Sequence, residues 1–314
     1  MRAAYLTKQG GPDELTLGDV PRPSPGKDEV LIRVHATAVT PTEFQWAPTF
    51  RAQNGEPRRF PIILSHEFSG VVEEVGSAVK GPQVGTAVYG MNDWYANGAQ
   101  ADYCVAPATA VAPKPQLDHP RAAVVPISAL TAWQGLFERG RLEAGERVLI
   151  HGGAGAVGVF AVQLAHWRSA QVIATASKHN LDFVRSLGSD EVVDYQTTPF
   201  EKVARDIDVV FDAVGGETLD RSWNVLKSTG RLVTIAAQSE AMNDPRVREA
   251  FFIVEPNQGQ LTEIGRLLDA GKLRAFVEAV FGLNQAREAY ARAKRGGMRG
   301  KVALRVKDGS SGCP

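Results

Sequence analysis

Between Arg147 and Trp167 the chain passes from an apolar run, through glycines at 152, 153, 155 and 158, into a second apolar stretch. Val148 to Ile150 reads as a buried strand and Val159 to Trp167 as a helix with an apolar face. A strand, a glycine turn and a helix in that order form the context in which a glycine pattern marks a dinucleotide site. Glycine lets the backbone turn sharply and leaves no Cβ between the chain and a pyrophosphate. The free N–H groups at the helix start then face the negative charge. Further strand–helix units follow in order, which separates this reading from a plain tight turn with no ligand.

With 314 residues the chain is long enough for about two domains. Its 35 basic and 35 acidic residues balance, so nothing points to nucleic acid or an anionic membrane as partner. Cys104 and Cys313 lie mid-chain and in the tail, which suggests neither a disulfide framework nor a Cys-rich metal site. Met1 to Tyr5 lacks the apolar core of a signal peptide, and no apolar run is long enough to span a bilayer. These features make the cytosol the default expectation.

The first third is β-rich. Ala3–Leu6, Leu15–Val20, Glu29–Val39, Phe68–Val75, Thr86–Tyr89 and Gln100–Val105 read as short strands punctuated by glycine and proline. Val30, Ile32 and Val34 share one face, with Arg33 and His35 opposite. Such a pattern suggests a compact, barrel-like β domain. Phe44 to Pro61 is irregular and reads as a loop able to roof a site.

The segments Val39-Thr40-Pro41-Thr42-Glu43-Phe44 and Ser65-His66-Glu67-Phe68-Ser69-Gly70 resemble the N-terminal domain of medium-chain dehydrogenases/reductases. Zinc alcohol dehydrogenases of that superfamily carry a Cys ligand in the first segment and a His ligand in the second. Here Thr40 stands in the first segment without a Cys, and the four-cysteine lobe of the structural zinc is absent. A catalytic zinc needs three protein ligands, so no metal is expected. His66 is then a hydrogen-bonding structural residue, and Glu67 its partner or a domain-interface group. The resemblance therefore points to the zinc-free, zeta-crystallin-like quinone oxidoreductase branch. That branch typically has Asn-Pro-x-Asp where this chain has Thr40-Pro41-Thr42-Glu43; a turn leaving a strand is the alternative reading of Thr40-Pro41.

Asp118 can cap a helix running to Arg139 and kinked at Pro126. Within it, Leu130-Thr131-Ala132-Trp133 resembles the family segment whose Thr lies near the nicotinamide; core packing is the alternative. The glycine turn supplies Gly153, Ala154, Gly155, Ala156 and Val157 as cofactor contacts. Gln171 to Ala176 reads as the second strand, and no carboxylate follows until Asp182. Ser177-Lys178 offers a hydroxyl and an ammonium without a competing negative charge, which suits a 2′-phosphate and favours NADP over NAD. A helix over Asn180–Leu187, strands at Glu191–Asp194, Asp208–Val214 and Arg231–Ala236, and a sixth over Phe251–Asn257 complete a doubly wound α/β sheet. The resemblance adds Tyr195 at the adenosine phosphate, Val214 beside the nicotinamide ribose, and Phe252 and Val254 in a segment passing the nicotinamide. It also places Arg299 or Lys301, in the closing Gly-Lys strand, near the cofactor.

The organisation implied is a GroES-like catalytic domain from residues 1–120 and 256–306, a Rossmann domain at 121–255, and a disordered tail at 307–314. The activity implied is NADPH-dependent reduction of a quinone or an activated α,β-unsaturated carbonyl. Thr40, Tyr89, Tyr95 and backbone N–H groups are the candidate donors to the developing oxyanion. Trp46 and Trp94 suit an aromatic wall or ordinary packing. The family suggests a homodimer through the Rossmann domain. A zinc-free alcohol dehydrogenase, an enoyl reductase and a non-catalytic NADPH-binding protein are the competing readings.

Overall fold

Eight short strands make up the first third: β1 (Arg2–Leu6), β2 (Leu15–Asp19), β3 (Glu29–Ala38), β4 (Ile62–Ile63), β5 (Glu67–Val75), β6 (Ala87–Met91), β7 (Tyr103–Pro107) and β8 (Val111–Pro113). They are described in a computed structural model covering residues 1–236 and 243–307. Cys313 and all but Lys307 of the tail expected to be disordered lie outside the described residues. Val30, Ile32, Val34, Phe68 and Val72 meet in one buried cluster. The alternation in β3 is not clean, because Leu31 and Thr37 are buried too while Arg33 and His35 are only half-buried. The region read as a roofing loop is partly helical: a 3-10 turn, Pro41–Gln45, leads into α1 (Ala47–Phe50).

The helix expected from Asp118 to Arg139 is two helices, α2 (His119–Ala123) and α3 (Pro126–Trp133), followed by a π-helical stretch to Arg139. Proline lacks an N–H and clashes with the preceding turn, so Pro126 begins a helix and does not kink one. Asp118 caps as anticipated, Oδ1 accepting from Arg121 N at 2.8 Å.

The middle of the chain alternates β9 (Arg147–His151), α4 (Gly158–Trp167), β10 (Gln171–Ala176), α5 (Leu181–Arg185), β11 (Glu191–Asp194), β12 (Ile207–Asp212), α6 (Gly216–Ser222) and β13 (Leu226–Thr234). All four strand pairings in this sheet are parallel, in the order β11-β10-β9-β12-β13. Val148, Leu149, Ile150, Val209, Val210 and Phe211 are fully buried, as strands covered on both faces must be. The sixth strand expected at Phe251–Asn257 does not form; one parallel bridge joins Thr234 to Phe251 and pairing stops there. Strand order reverses beside β9, so the ligand crevice falls at the carboxyl ends of β9 and β12.

The chain then runs through α7 (Pro245–Ala250), α8 (Gln258–Asp269), β14 (Val277–Gly282), α9 (Ala286–Lys294) and β15 (Lys301–Arg305). The last two strands return to the N-terminal half and build a seven-stranded sheet, β14-β15-β3-β5-β6-β8, with β7 also paired to β3. β15 runs antiparallel to β3, pairing Ala303 with Ala38.

Candidate active site

The glycine turn joins β9 to α4. Gly152 has φ +78°, a conformation that suits glycine. A Cβ on Gly158 would stand 2.1 Å from Gly152 O, so the helix start and the turn touch backbone to backbone. Gly153 N donates to Thr175 O at 2.9 Å and Gly155 N to Gly152 O at 3.0 Å. The N–H groups of these two glycines are therefore engaged within the turn, and their part is one of shape. The N–H groups of Ala154 and Val157 make no such bond within the described residues and remain available. Ala156 sits between them, half-buried, beside a bridge from Gly155 to Gly300.

After β10 the chain turns at Ser177, largely buried, into Lys178 and His179, both exposed. Ser177 Oγ lies 3.3 Å from His179 Nε2. Arg299 reaches across from the approach to β15, Nε donating to Asn180 Oδ1 and Nη2 to His179 O, both at 2.9 Å. Its guanidinium also covers the Phe183 ring at 5.0 Å. Arg299 thus positions this loop and adds positive charge to it. A hydroxyl, an ammonium and a guanidinium thus lie on or against one loop at the carboxyl end of β10, a donor set whose chemistry fits a phosphorylated ribose.

Beneath the crevice, Asp212 ends β12 fully buried and accepts from Val214 N at 3.0 Å, Gly215 N at 3.1 Å and Thr234 Oγ1 at 2.8 Å. His151 beside it contacts Thr175 Oγ1 at 3.3 Å and Ser222 Oγ at 3.0 Å. Burial pushes the His151 imidazole down to about 4, so the ring is neutral. Sequence reasoning missed this bracket, although an Asp closing an apolar strand before Gly-Gly was its signal. Around the rim, Tyr195, Val214 and Ile253 expose 60%, 53% and 64% of their surface. Apolar side chains this exposed at the carboxyl ends of parallel strands suit a covering ligand. The side chains of the expected Phe252 and Val254 are only 5% and 7% exposed, whereas Ile253 between them is the exposed one. In an extended segment 252 and 254 share a side, and the inward side is theirs.

Lys301 is not a cofactor contact. Its Nζ donates to Glu67 Oε1, and both side chains are nearly inaccessible. Glu67 Oε2 accepts from Ile127 N at 2.9 Å, near the start of α3. One buried ion pair thus ties β15, β5 and α3 together. A turn later, Thr131 Oγ1 donates to Ile127 O at 2.6 Å, leaving its oxygen only to accept.

Val39 N donates to Val302 O at 3.1 Å, which sets Thr40 beside the start of β15 and hence near Gly300. The Thr40 hydroxyl has no partner among the described residues. Glu43, three residues on, is completely buried; its Oε2 accepts from Ser65 N at 2.8 Å and its Oε1 from the Tyr290 hydroxyl. Gln100 Nε2 contacts Ser65 Oγ at 2.8 Å and Tyr290 Oη at 2.6 Å. Burial raises the Glu43 carboxyl to about 7, against the lowering effect of the Tyr290 and Ser65 hydrogen bonds. His66 is buried, Nδ1 lying 3.0 Å from Asp93 O. Its ring packs 5.4 Å from Trp94, which meets Trp46 edge to face at 5.2 Å. Tyr95, 40% exposed, projects from the same turn. Tyr89 is corrected: it lies inside β6, fully buried, its hydroxyl donating to Leu261 O. Among the described residues no group of three or more His, Cys, Asp or Glu side chains could hold a metal ion.

Residues 26–116 match the alcohol dehydrogenase GroES-like domain and residues 187–304 the zinc-binding dehydrogenase domain. A probable zinc-binding oxidoreductase, mitochondrial, from Arthroderma benhamiae is 34% identical over 93% of each chain. An NADPH-dependent alkenal/one oxidoreductase, chloroplastic, from Arabidopsis thaliana is 32% identical, covering 97% of this chain and 79% of that one. Among solved structures, the quinone oxidoreductase from Coxiella burnetii superposes with a TM-score of 0.89 at 30% identity, over 98% of this chain and 99% of that one. The organelle names of the first two correct the cytosolic expectation, since the lack of a secretory h-region says nothing about mitochondria or chloroplasts. No helix among the described residues is long and apolar enough to cross a membrane.

Proposed function

The chain belongs to the medium-chain dehydrogenase/reductase superfamily and is an oxidoreductase, and from that premise we propose that it reduces quinones or activated α,β-unsaturated carbonyls with NADPH and no metal. The relatives named for quinone and alkenal/one reduction support the substrate class. The observation that carries the reading is Thr40: a hydroxyl without an internal partner stands beside β15 where a metal-dependent relative would need a thiolate.

Ser177, Lys178 and Tyr195 would hold the phosphorylated ribose, and the amides of Ala154 and Val157 the pyrophosphate. Bound NADPH supplies the hydride. Thr131 Oγ1, its proton committed to Ile127 O, would be left to accept from a carboxamide N–H of the bound cofactor. Thr40 and Tyr95 hydroxyls donate to the substrate oxygen that gains charge when its β-carbon or ring is reduced. Trp46 and Trp94 wall a flat substrate, and water protonates the enolate carbon. Without a Lewis acid the site favours acceptors that are already electron-poor. We take the domain limits as 1–120 with 256–306, and 121–255. We also propose a homodimer, for which β13, the edge strand of the parallel sheet, offers the stretch before Thr234, where it is bridged to Phe251.

The test is cofactor oxidation with a panel of quinones and enones after dialysis against a chelator. Turnover with NADPH well above NADH is the expected result. NADPH binding without turnover of any panel member overturns the reading.

A further inference from the structure

At the end of β15 opposite Arg299 and Gly300 lies a cavity of about 470 Å³ that the proposed reduction does not use. Lys301 opens β15 and Arg305 closes it, a separation of roughly 13 Å at about 3.3 Å per residue. The cavity wall brings together His35 from β3, Lys114 just beyond β8, His119 at the start of α2, and Arg305 and Lys307 from the end of β15. Among the described residues Asp118 is the one acidic group lining it. Its carboxylate already accepts from Arg121 N at 2.8 Å and lies 3.8 Å from the Arg121 guanidinium. The whole chain balances 35 basic against 35 acidic residues, so Lys114, Arg305 and Lys307 against one carboxylate are a local excess of positive charge.

The fold holds these cations in place. Lys114 Nζ donates to Pro115 O at 3.0 Å and also to Leu117 O, which fixes it over the approach to α2. Val306 N donates to His35 O at 2.9 Å and Lys307 N to the same oxygen at 3.3 Å. The end of β15 is thereby clamped onto β3, and Lys307 is brought to the cavity wall. Like charges gathered in this way cost free energy that an anion would recover.

Two imidazoles complete the wall. His35 and His119 stack with ring centroids 4.2 Å apart and planes 18° off parallel. Burial, then the neighbouring His35 and Lys114, push the His119 ring down to about 4, against the Asp118 charge; Arg33, itself bonded to Glu73 at 3.1 Å, acts in the same direction as Lys114. Burial lowers His35 as well, with Arg33 and Lys307 adding to it, and its enclosed Nε2 has no hydrogen-bond partner among the described residues. Both rings are therefore neutral near pH 7. Yet the surroundings have a place for an imidazolium. His119 Nδ1 lies 2.8 Å from Ser69 Oγ, which lies 3.3 Å from Val88 O. A carbonyl only accepts, so with the ring protonated the hydrogens run one way, from Nδ1 to Ser69 Oγ and from Ser69 Oγ to Val88 O. What opposes the imidazolium is burial and nearby positive charge, and a dianion cancels the second. Rings stacked this closely hold no more than one proton between them.

We infer that this cavity binds a dianionic oxyanion, a sulfate or phosphate group, and that binding takes up one proton on His119. None of the described residues assigned to the nucleotide or the substrate lines it. The bound ring titrates higher than the free one, so affinity rises as pH falls through the bound value and levels off near 4. With the bound ring returned to about its ordinary 6.5, sulfate binds about tenfold more tightly at about pH 5.5 than at about pH 7.5.

The experiment follows the imidazole resonances of the full chain by NMR while sulfate, a dianion throughout this pH range, is added at constant ionic strength. His119→Phe identifies the His119 signal. His119 and His35 should shift saturably with that pH dependence, and excess NADP+ should leave the shift in place. Lys307→Ala removes one cation, keeps the backbone bond to His35 O, and should weaken binding about tenfold. Phenyl phosphate, titrated in parallel, separates the sources. Tighter binding than sulfate assigns an ester-borne group seated against Leu117 and Pro120, and weaker binding assigns the free ion. No saturable shift with either probe, equal sulfate affinity at both pH values, or a shift abolished by NADP+ overturns the proposal. Where His119→Phe does not fold, Lys307→Ala carries the test, since an unchanged affinity in that variant overturns it too.

Discussion

The two ends of the cleft are built from opposite materials. At the proposed cofactor end the rim is made of backbone and exposed side chains: turn amides, Lys178, Tyr195, Val214 and Ile253. At the substrate end it sits on buried polar side chains bonded to one another, with Glu43, Tyr290 and Gln100 in one group and Glu67 and Lys301 in another. Above the buried Asp212 bracket, the rim of the first end has few internal partners. The second is satisfied from within, so its residues are structural debts to one another before they are anything to a substrate. Changes at the substrate end should therefore appear in stability, and changes at the cofactor end in affinity alone.

The sharpest way to break that contrast is Lys301→Met. It leaves the Glu67 carboxylate buried and unpaired, and should cost about 3–5 kcal/mol in denaturant unfolding. Combining it with Glu67→Gln should recover much of the loss. An unfolding midpoint unmoved by Lys301→Met would refute the assignment of the pair as the tie between β15, β5 and α3.

Glu43 provides a pH-resolved version. Its folded carboxyl lies at about 7, above its ordinary value of 4.5, so the folded state keeps a proton that the unfolded chain releases. Stability from this group is then greatest below about 4.5, declines as pH rises towards 7 and is level above it. Glu43→Gln should flatten the profile over that window, a difference of roughly 3 kcal/mol between its ends. Buried histidines titrate in both proteins, so the difference curve isolates the carboxyl. Parallel profiles would remove the neutral, buried acid.

Lys178→Ala should produce the smallest effect and the most selective one. NADPH affinity should fall about tenfold to a hundredfold, as for loss of a hydrogen bond to a charged group, while NADH affinity and the unfolding midpoint stay put. Equal losses for both cofactors would move the 2′-phosphate elsewhere.

The same contrast explains what could be read in advance. Glycine spacing, apolar strands and Ser177-Lys178 are local patterns, and the parallel sheet and turn follow them closely. Lys301 and Tyr89 misled because sequence shows that a side chain is polar but not which way it faces. Lys301 is 234 residues from Glu67, and the Tyr89 hydroxyl meets a carbonyl 172 residues away. Glu43, Ser65, Gln100 and Tyr290 likewise come from separate elements, and no spacing connects them. Phe252 and Val254 failed by a single position of register, with Ile253 between them taking the outward side.

The short approach to β15 also has a consequence for how the protein comes into being. Gly300 bridges to Gly155 and Arg299 fastens the loop after β10, so the final strand completes a pocket whose floor was laid down about 150 residues earlier. A nascent chain emerging from the ribosome can assemble the whole parallel sheet and still lack the clasp on the loop after β10. The fastening of that loop arrives well after the sheet has been made, and a product cut short before Arg299 would carry a folded sheet with the loop after β10 unsecured.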